Sequence, residues 1–172
     1  MEPQSFLLYN LIDKLDYLTA TRLCSTSKNF LSLCDSDPLI ENRLNELKTD
    51  HFIATRDPRT VLTKAHILIE SIRFGDANIF HQLIKRGYGR LYRDKGDLLQ
   101  LAVLHRSSDI ANYILVFFTN SISSDDLMNV LNNIHARNID PELYNKIVAL
   151  LKSRKGGLWR LDHALSNFNL NK

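Results

Sequence analysis

Long hydrophobic runs are missing from this sequence. The longest, Ile110 to Phe118, has about half the length a helix needs to cross a bilayer, and it contains Asn112. No membrane-spanning segment is expected. Glycine and proline are scarce, with 6 and 4 in 172 residues, too few for an all-β chain that must turn every ten residues or so. Cysteine is limited to Cys24 and Cys34, which form no Cys-x-x-Cys pair and lie in no His-rich cluster. Two buried thiols in a reducing compartment are expected. Glu2 stands where a secretory signal would be basic, and Asn169-Leu170-Asn171-Lys172 offers no cysteine to prenylate. Neither an export signal nor a lipid anchor is expected, and the expected location is cytosol or nucleus.

What is present is ordinary globular material, 44% hydrophobic and 24% charged. The net charge of +3 is unevenly spread. Residues 1–50 carry five Lys/Arg against eight Asp/Glu, whereas 51–172 carry seventeen against eleven. The basic excess suits an acidic protein partner and is too weak and interleaved to indicate nucleic acid.

Helical periodicity organises the first fifty residues. Phe6, Leu7, Leu8, Leu11, Ile12 and Leu15 fall at i, i+3, i+4 spacing, which predicts a helix from Ser5 to Leu15. Thr19 is expected to cap a short helix through Leu23 and Cys24. Ser27 is expected to cap a third helix carrying Phe30, Leu31, Leu33 and Cys34. Asp37-Pro38 stops that helix and starts a fourth through Ile40, Leu44 and Leu47. The polar stretch His51–Thr60, with Asp57-Pro58, is the expected seam between parts.

Beyond the seam the chain repeats. Leu68 to Ile84 aligns without gaps on Leu99 to Leu115, which places Asn78 on Asp109 and Leu83-Ile84 on Ile114-Leu115. A looser third unit has stripes Leu127, Val130, Leu131, Ile134 and Ile147, Val148, Leu150, Leu151, stretched around Asn138-Ile139-Asp140-Pro141. Paired helices recurring at about thirty residues imply a stacked α-solenoid, with units near 64–96, 97–122 and 123–153. Gly156-Gly157 then stops the preceding helix, and Leu158, Leu161, Leu165 and Phe168 have the spacing of a terminal capping helix over 157–172. The expected fold class is therefore all-α: a helical unit over 1–50, helix-pair repeats over 60–156, and the cap.

Two family resemblances rest on these residues. Leu11-Ile12-Asp13-Lys14-Leu15-Asp16, Arg22-Leu23, Ser27-Lys28-Asn29-Phe30, Leu33 and Asp37-Pro38-Leu39 resemble an F-box over residues 3–47. The departures are Pro3 one residue out of register, Thr26 where an apolar residue is usual, and Ala20 in place of Leu. Gly75 and Gly87, flanking Asn78-Ile79-Phe80 and Leu83-Ile84, together with Leu99-Gln100-Leu101-Ala102-Val103, resemble divergent ankyrin repeats. Both units lack the Thr-Pro-Leu-His start. The combination is similar to effectors of intracellular bacteria of the Legionella type and of large DNA viruses.

The F-box resemblance implies an adaptor that binds the Skp-type linker of a host cullin–RING (SCF) ubiquitin ligase, acting in the host cytosol. It assigns linker contact to Leu7, Leu8, Leu11, Ile12, Leu15, Ser27, Lys28, Phe30 and Pro38. The ankyrin resemblance makes Lys85 to Gly96 a projecting finger that lines a target face. Tyr88, Arg90, Tyr92 and Arg93 are its candidate contacts, because Tyr and Arg offer large contact areas with polar handles. Glycines 87, 89 and 96 are expected to turn it at positive φ. The alternative is an ankyrin-like binding or inhibitory module with no ligase connection.

Catalytic signals are weak. The six histidines, His51, His66, His81, His105, His135 and His163, never pair at i+3 or i+4, and no glycine-rich phosphate loop follows a strand. Asp125-Asp126 reads as an acidic first helical turn. No enzyme activity, metal or cofactor is expected, and the partners are proteins rather than nucleic acid or membrane.

Overall fold

Short polar side chains set the helix boundaries of this chain, and the resulting fold is all-α. The computed structural model describes residues 3–56, 64–92, 94–137 and 140–154, among which there are ten α-helices and no strand. They are α1 (Pro3–Ile12), α2 (Tyr17–Cys24), α3 (Lys28–Ser36), α4 (Pro38–Arg56), α5 (Lys64–Phe74), α6 (Ala77–Lys85), α7 (Lys95–Leu104), α8 (Ser108–Phe117), α9 (Ser124–Arg137) and α10 (Pro141–Ser153). Short 3-10 turns occupy Tyr88–Leu91 and Thr119–Ser121. The expected capping segment 157–172 lies outside the described residues.

Ser27 caps α3 as expected, its hydroxyl accepting from the Phe30 amide at 3.1 Å. Asp37 closes α3 and caps α4, accepting from the Leu39 amide at 3.0 Å with Pro38 as the first helical residue. At α2 the expectation fails, because Asp16 rather than Thr19 is the cap. Its carboxylate takes both the Thr19 amide, at 3.0 Å, and the Thr19 hydroxyl, at 2.7 Å. A carboxylate is the stronger acceptor, so the threonine hydroxyl becomes a donor. The first helix ends at Ile12, short of the expected Leu15, where the amides of Lys14 and Leu15 tighten onto the carbonyls of Leu11 and Ile12. The fourth helix runs through the expected seam as far as Arg56, because Thr49 and Phe52 are buried and Arg56 lies over the Phe52 ring. Residues 57–63 of that seam lie outside the described set.

Contacts divide the chain into two compact units, one within residues 1–67 and 78–89, the other within 68–77 and from 90 onward. In the first, α4 is the central helix, and α1, α2 and α3 each pack on it. The core is Leu8, Ile12, Ala20, Cys24, Cys34, Ile40 and Leu47. Each fully buried Leu or Ile contributes about 1.5–3 kcal/mol relative to exposure. Arg43 of α4 pairs with Asp13 at 2.9 Å and Glu46 at 3.0 Å, tying down the turn after α1. The expectation of two free thiols is overturned: Cys24 and Cys34 form a disulfide that joins α2 to α3, with Cα atoms 6.1 Å apart. Both positions lie on the inward faces of neighbouring helices, which brings the sulfurs together. The sixth helix completes this unit, with Gln82 donating to Asn42 and Arg86 paired with Asp50 at 2.5 Å.

In the second unit α7 packs on both α8 and α9, and α10 packs on α9. Leu127, Val130, Leu131 and Ile134 are all buried, as expected for α9. On α10 the inward stripe is Leu143, Ile147 and Leu151, while Val148 and Leu150 are only half-buried. Helices α8 and α10 run parallel. Lys146 reaches the Asn112 side chain, and two turns further on Arg154 reaches the carbonyls of Thr119 and Ile122. The Ser107 hydroxyl, in the α7–α8 turn, donates to the Ile72 carbonyl near the end of α5 at 3.0 Å.

The repeat read from the sequence is visible in the backbone. Lys64 and Lys95 start α5 and α7, and Ala77 and Ser108 start α6 and α8, so both helices of the pair recur at one and the same offset. Gly75 and Arg106 occupy matching positions at that offset, and both take positive φ, +77° and +58°, at the turn after their helix. The third pair is irregular, since Ser124 starts α9 slightly before that offset and Pro141 starts α10 slightly after it.

Candidate protein-binding surfaces

The first helix is apolar on more faces than one core can absorb. Leu8 and Ile12, one turn apart, are buried at 1% and 0% exposure. Phe6, Leu7 and Leu11 on the same helix are left 60%, 63% and 44% exposed. Leu7 and Leu11 are also one turn apart, so they share one stripe. This corrects the expected linker contacts: Leu8 and Ile12 belong to the core and offer no surface to a partner. Of the others, Leu15 and Phe30 are half-buried, while Ser27, Lys28 and Pro38 are exposed, with the Ser27 side chain engaged as a cap.

On α1 to α4, Phe6, Leu18, Leu31 and Leu39 are also exposed and were not among the expected contacts. A signal existed for the first of them. The apolar residues Phe6, Leu7, Leu8, Leu11 and Ile12 cover more of the helix than a single inward stripe. Only one stripe of such a helix turns inward.

The finger differs from expectation. α6 ends at Lys85 and α7 begins at Lys95, and between them the chain turns at Gly87, with φ +83°, into the 3-10 turn Tyr88–Leu91. Gly89 and Gly96 do not use positive φ. Gly96 instead sits in the first turn of α7 against α9, where an added Cβ would collide with the Cβ and carboxyl of Asp126. Tyr88 is half-buried in the first unit, with the Lys64 ammonium 5.4 Å from its ring centre. In the second unit Arg90 is exposed and Tyr92 half-buried. Burial pushes the Tyr92 hydroxyl pKa up, reinforced by Asp97 and Asp94. Arg93 lies outside the described residues.

Lys95, counted among the basic residues of the finger, is 8% exposed. Its ammonium donates to the Tyr92 carbonyl and lies over the Phe118 ring. Burial pulls its pKa down, with Asp94 opposing. The positive charge offered by this connection is therefore smaller than its sequence suggests, since Lys95 is inside and Arg86 is paired with Asp50.

Two clefts open in the first unit. One, of about 270 Å³, lies among α2, α3 and α4 and is lined by residues including Tyr17, Asp35, Glu41 and Lys48. The other, of about 180 Å³, is rich in carboxamides, with Asn42 and Asn45 of α4 facing Asn78 and Gln82 of α6. His81 lines it, and its pKa is lowered by burial and then by Lys85. Both clefts hold hydrogen-bonding groups suited to recognition. Cys24 and Cys34, being bonded to each other, supply no thiolate nucleophile. Among the described residues no three His, Cys, Asp or Glu side chains gather as a metal site, and no helix is long and apolar enough to cross a membrane. No protein-family model, curated protein or solved structure matches this chain.

Proposed function

We propose that this chain is an adaptor that binds the Skp-type linker of a cullin–RING ubiquitin ligase through its first helices and a target protein through its helical repeats. The observation that carries this reading is the exposure of Phe6, Leu7 and Leu11 on α1, inside the segment whose motifs resemble an F-box. Large apolar side chains left in water on one helix are costly, and such surfaces are normally covered by a partner. The ankyrin-like half of the reading draws support from the paired helix starts, which recur at one offset, and from the matching positive-φ turns at Gly75 and Arg106.

The test is co-elution with a purified Skp-type linker. Wild type should elute as a complex, and Leu7→Ala with Leu11→Ala should not, while keeping its helical circular dichroism and cooperative melt. Failure of the wild-type protein to bind, in both oxidised and reduced form, removes the ligase connection. Both forms are needed because a reducing cytosol would open the Cys24–Cys34 bond to two neighbouring thiols.

One observation favours the alternative of a plain binding module. The helices of the first unit grip α6 through Gln82–Asn42 and Arg86–Asp50, as a terminal cap of a repeat array would. On that reading the same co-elution experiment gives no complex.

A further inference from the structure

Exposure does not tell the two ends of the disulfide apart, since Cys24 is 5% and Cys34 4% exposed. What lies beside them does. Cys34 forms part of the wall of the 270 Å³ cleft among α2, α3 and α4, whereas Cys24 is no part of that wall. A thiol entering the cleft therefore meets one half of the bond and not the other. Thiol–disulfide exchange needs the incoming thiolate at one sulfur while the second sulfur leaves, so access selects which cysteine is attacked.

The cleft also limits what can enter. Its 270 Å³ lies just below the usual range of small-molecule sites, roughly 300–1,000 Å³, and is far too small for the active site of a protein oxidoreductase. The wall is charged in both senses. Lys48 of α4 is half-buried there, Asp35 and Glu41 are exposed, and Tyr17 and Asn45 add a phenol and a carboxamide. A small peptide thiol with carboxylates and an ammonium group, of which glutathione is the common example, matches that wall.

We propose that the cleft is a thiol-exchange site at which a small peptide thiol forms a mixed disulfide with Cys34, while Cys24 acts as the resolving thiol. The incoming thiolate attacks the Cys34 sulfur; a bond forms between those two sulfurs and the Cys24–Cys34 bond breaks. The electron pair leaves on the Cys24 sulfur, which takes a proton from water. A second small thiolate then attacks the bound thiol's own sulfur, which releases the small disulfide and leaves two protein thiols. In the oxidising direction the Cys24 thiolate attacks Cys34 and expels the small thiol, which restores the internal bond. The inference is independent of the ligase reading.

The test uses full-length protein, reduced and then exposed to glutathione disulfide, with acid-quenched samples read by intact mass and peptide mapping. In Cys24→Ser no second thiol can expel the adduct, so one glutathione should accumulate on Cys34. Cys34→Ser should take up glutathione at least about tenfold more slowly, because its remaining thiol has no access from the cleft. Wild type should end with the internal bond restored, and adduct caught on the way should map to Cys34. That arm needs no substituted protein and so stands even where a variant proves unstable by circular dichroism. Lys48→Glu in the Cys24→Ser background should slow uptake from glutathione disulfide several-fold but not from cystamine, whose two ends are cations. Equal uptake by the two single variants, a wild-type adduct on Cys24, or no adduct on Cys24→Ser overturns the proposal. A Lys48→Glu change that affects both reagents alike overturns the cleft as the route.

Discussion

At the scale of single residues, two positions on the second unit test how much one atom or one charge contributes. Asp140 caps α10, accepting from the amides of Glu142 and Leu143 at 3.1 Å each, and does so at φ +37°, where a side chain with a local acceptor is tolerated. Its carboxyl pKa is held below the ordinary 3.8, first by the Ser108 hydroxyl and then by the Leu143 amide. A depressed carboxylate contributes stability that is fully present above 3.8 and lost as pH falls through its lower folded value. Asp140→Ala should cost about 1–2 kcal/mol at neutral pH, from the cap and the left-handed backbone together. The gap in melting temperature between it and wild type should narrow on acidification. A gap that is constant with pH would mean the carboxylate charge contributes nothing. Gly96→Ala tests close approach. The new Cβ would meet both the Cβ and the carboxyl of Asp126 well inside van der Waals contact, so α7 and α9 must separate. A loss of about 1–3 kcal/mol by denaturant melt is expected, against the usual gain when a helical glycine becomes alanine.

At the scale of elements, the disulfide and the first helix decide the behaviour of the first unit. The Cys24–Cys34 bond closes a loop with a sequence separation of 10, for which the chain-entropy argument gives about 2–3 kcal/mol. Cys24→Ala with Cys34→Ala should lower the stability of oxidised protein by that order. Reduction of wild type should lower it similarly, and alkylation followed by mass measurement should find both sulfurs unreactive until then. Ready alkylation of native protein would show the bond absent in solution. On α1 the two stripes should separate cleanly. Leu8→Ala removes a fully buried side chain and should cost about 2–5 kcal/mol. Leu7→Ala and Leu11→Ala, both exposed, should leave the melt within about 0.5 kcal/mol of wild type. Equal destabilisation by both kinds of substitution would refute the division of α1 into a core stripe and a surface stripe.

At the scale of the whole molecule, the proposed adaptor has separable activities. Arg90→Ala with Tyr92→Ala should weaken target capture and leave linker co-elution intact, because α1 and the 90–92 segment belong to different compact units. Loss of linker binding in that variant would mean the two activities share one surface. With Lys95 buried and Arg86 paired, the salt dependence of target binding should be shallow, reflecting few free charges.

The sequence by itself determined the helices, their caps at Ser27 and Asp37, and the offset at which the helix pairs recur, because capping chemistry and apolar periodicity are local and act within a turn of helix. It also determined that α1 has more apolar surface than a helix can hide. Which stripe of α1 turns inward was decided only by the tertiary structure, because Leu7, Leu8, Leu11 and Ile12 are equivalent until α4 presents Ile40 and Leu47 to one side of them. The pairing of Cys24 with Cys34 was decided there too, since it depends on two helices lying side by side. So was the burial of Lys95, whose charge counts as surface until its carbonyl and aromatic partners close over it. Local rules place the elements; long-range packing chooses which of their faces a partner can meet.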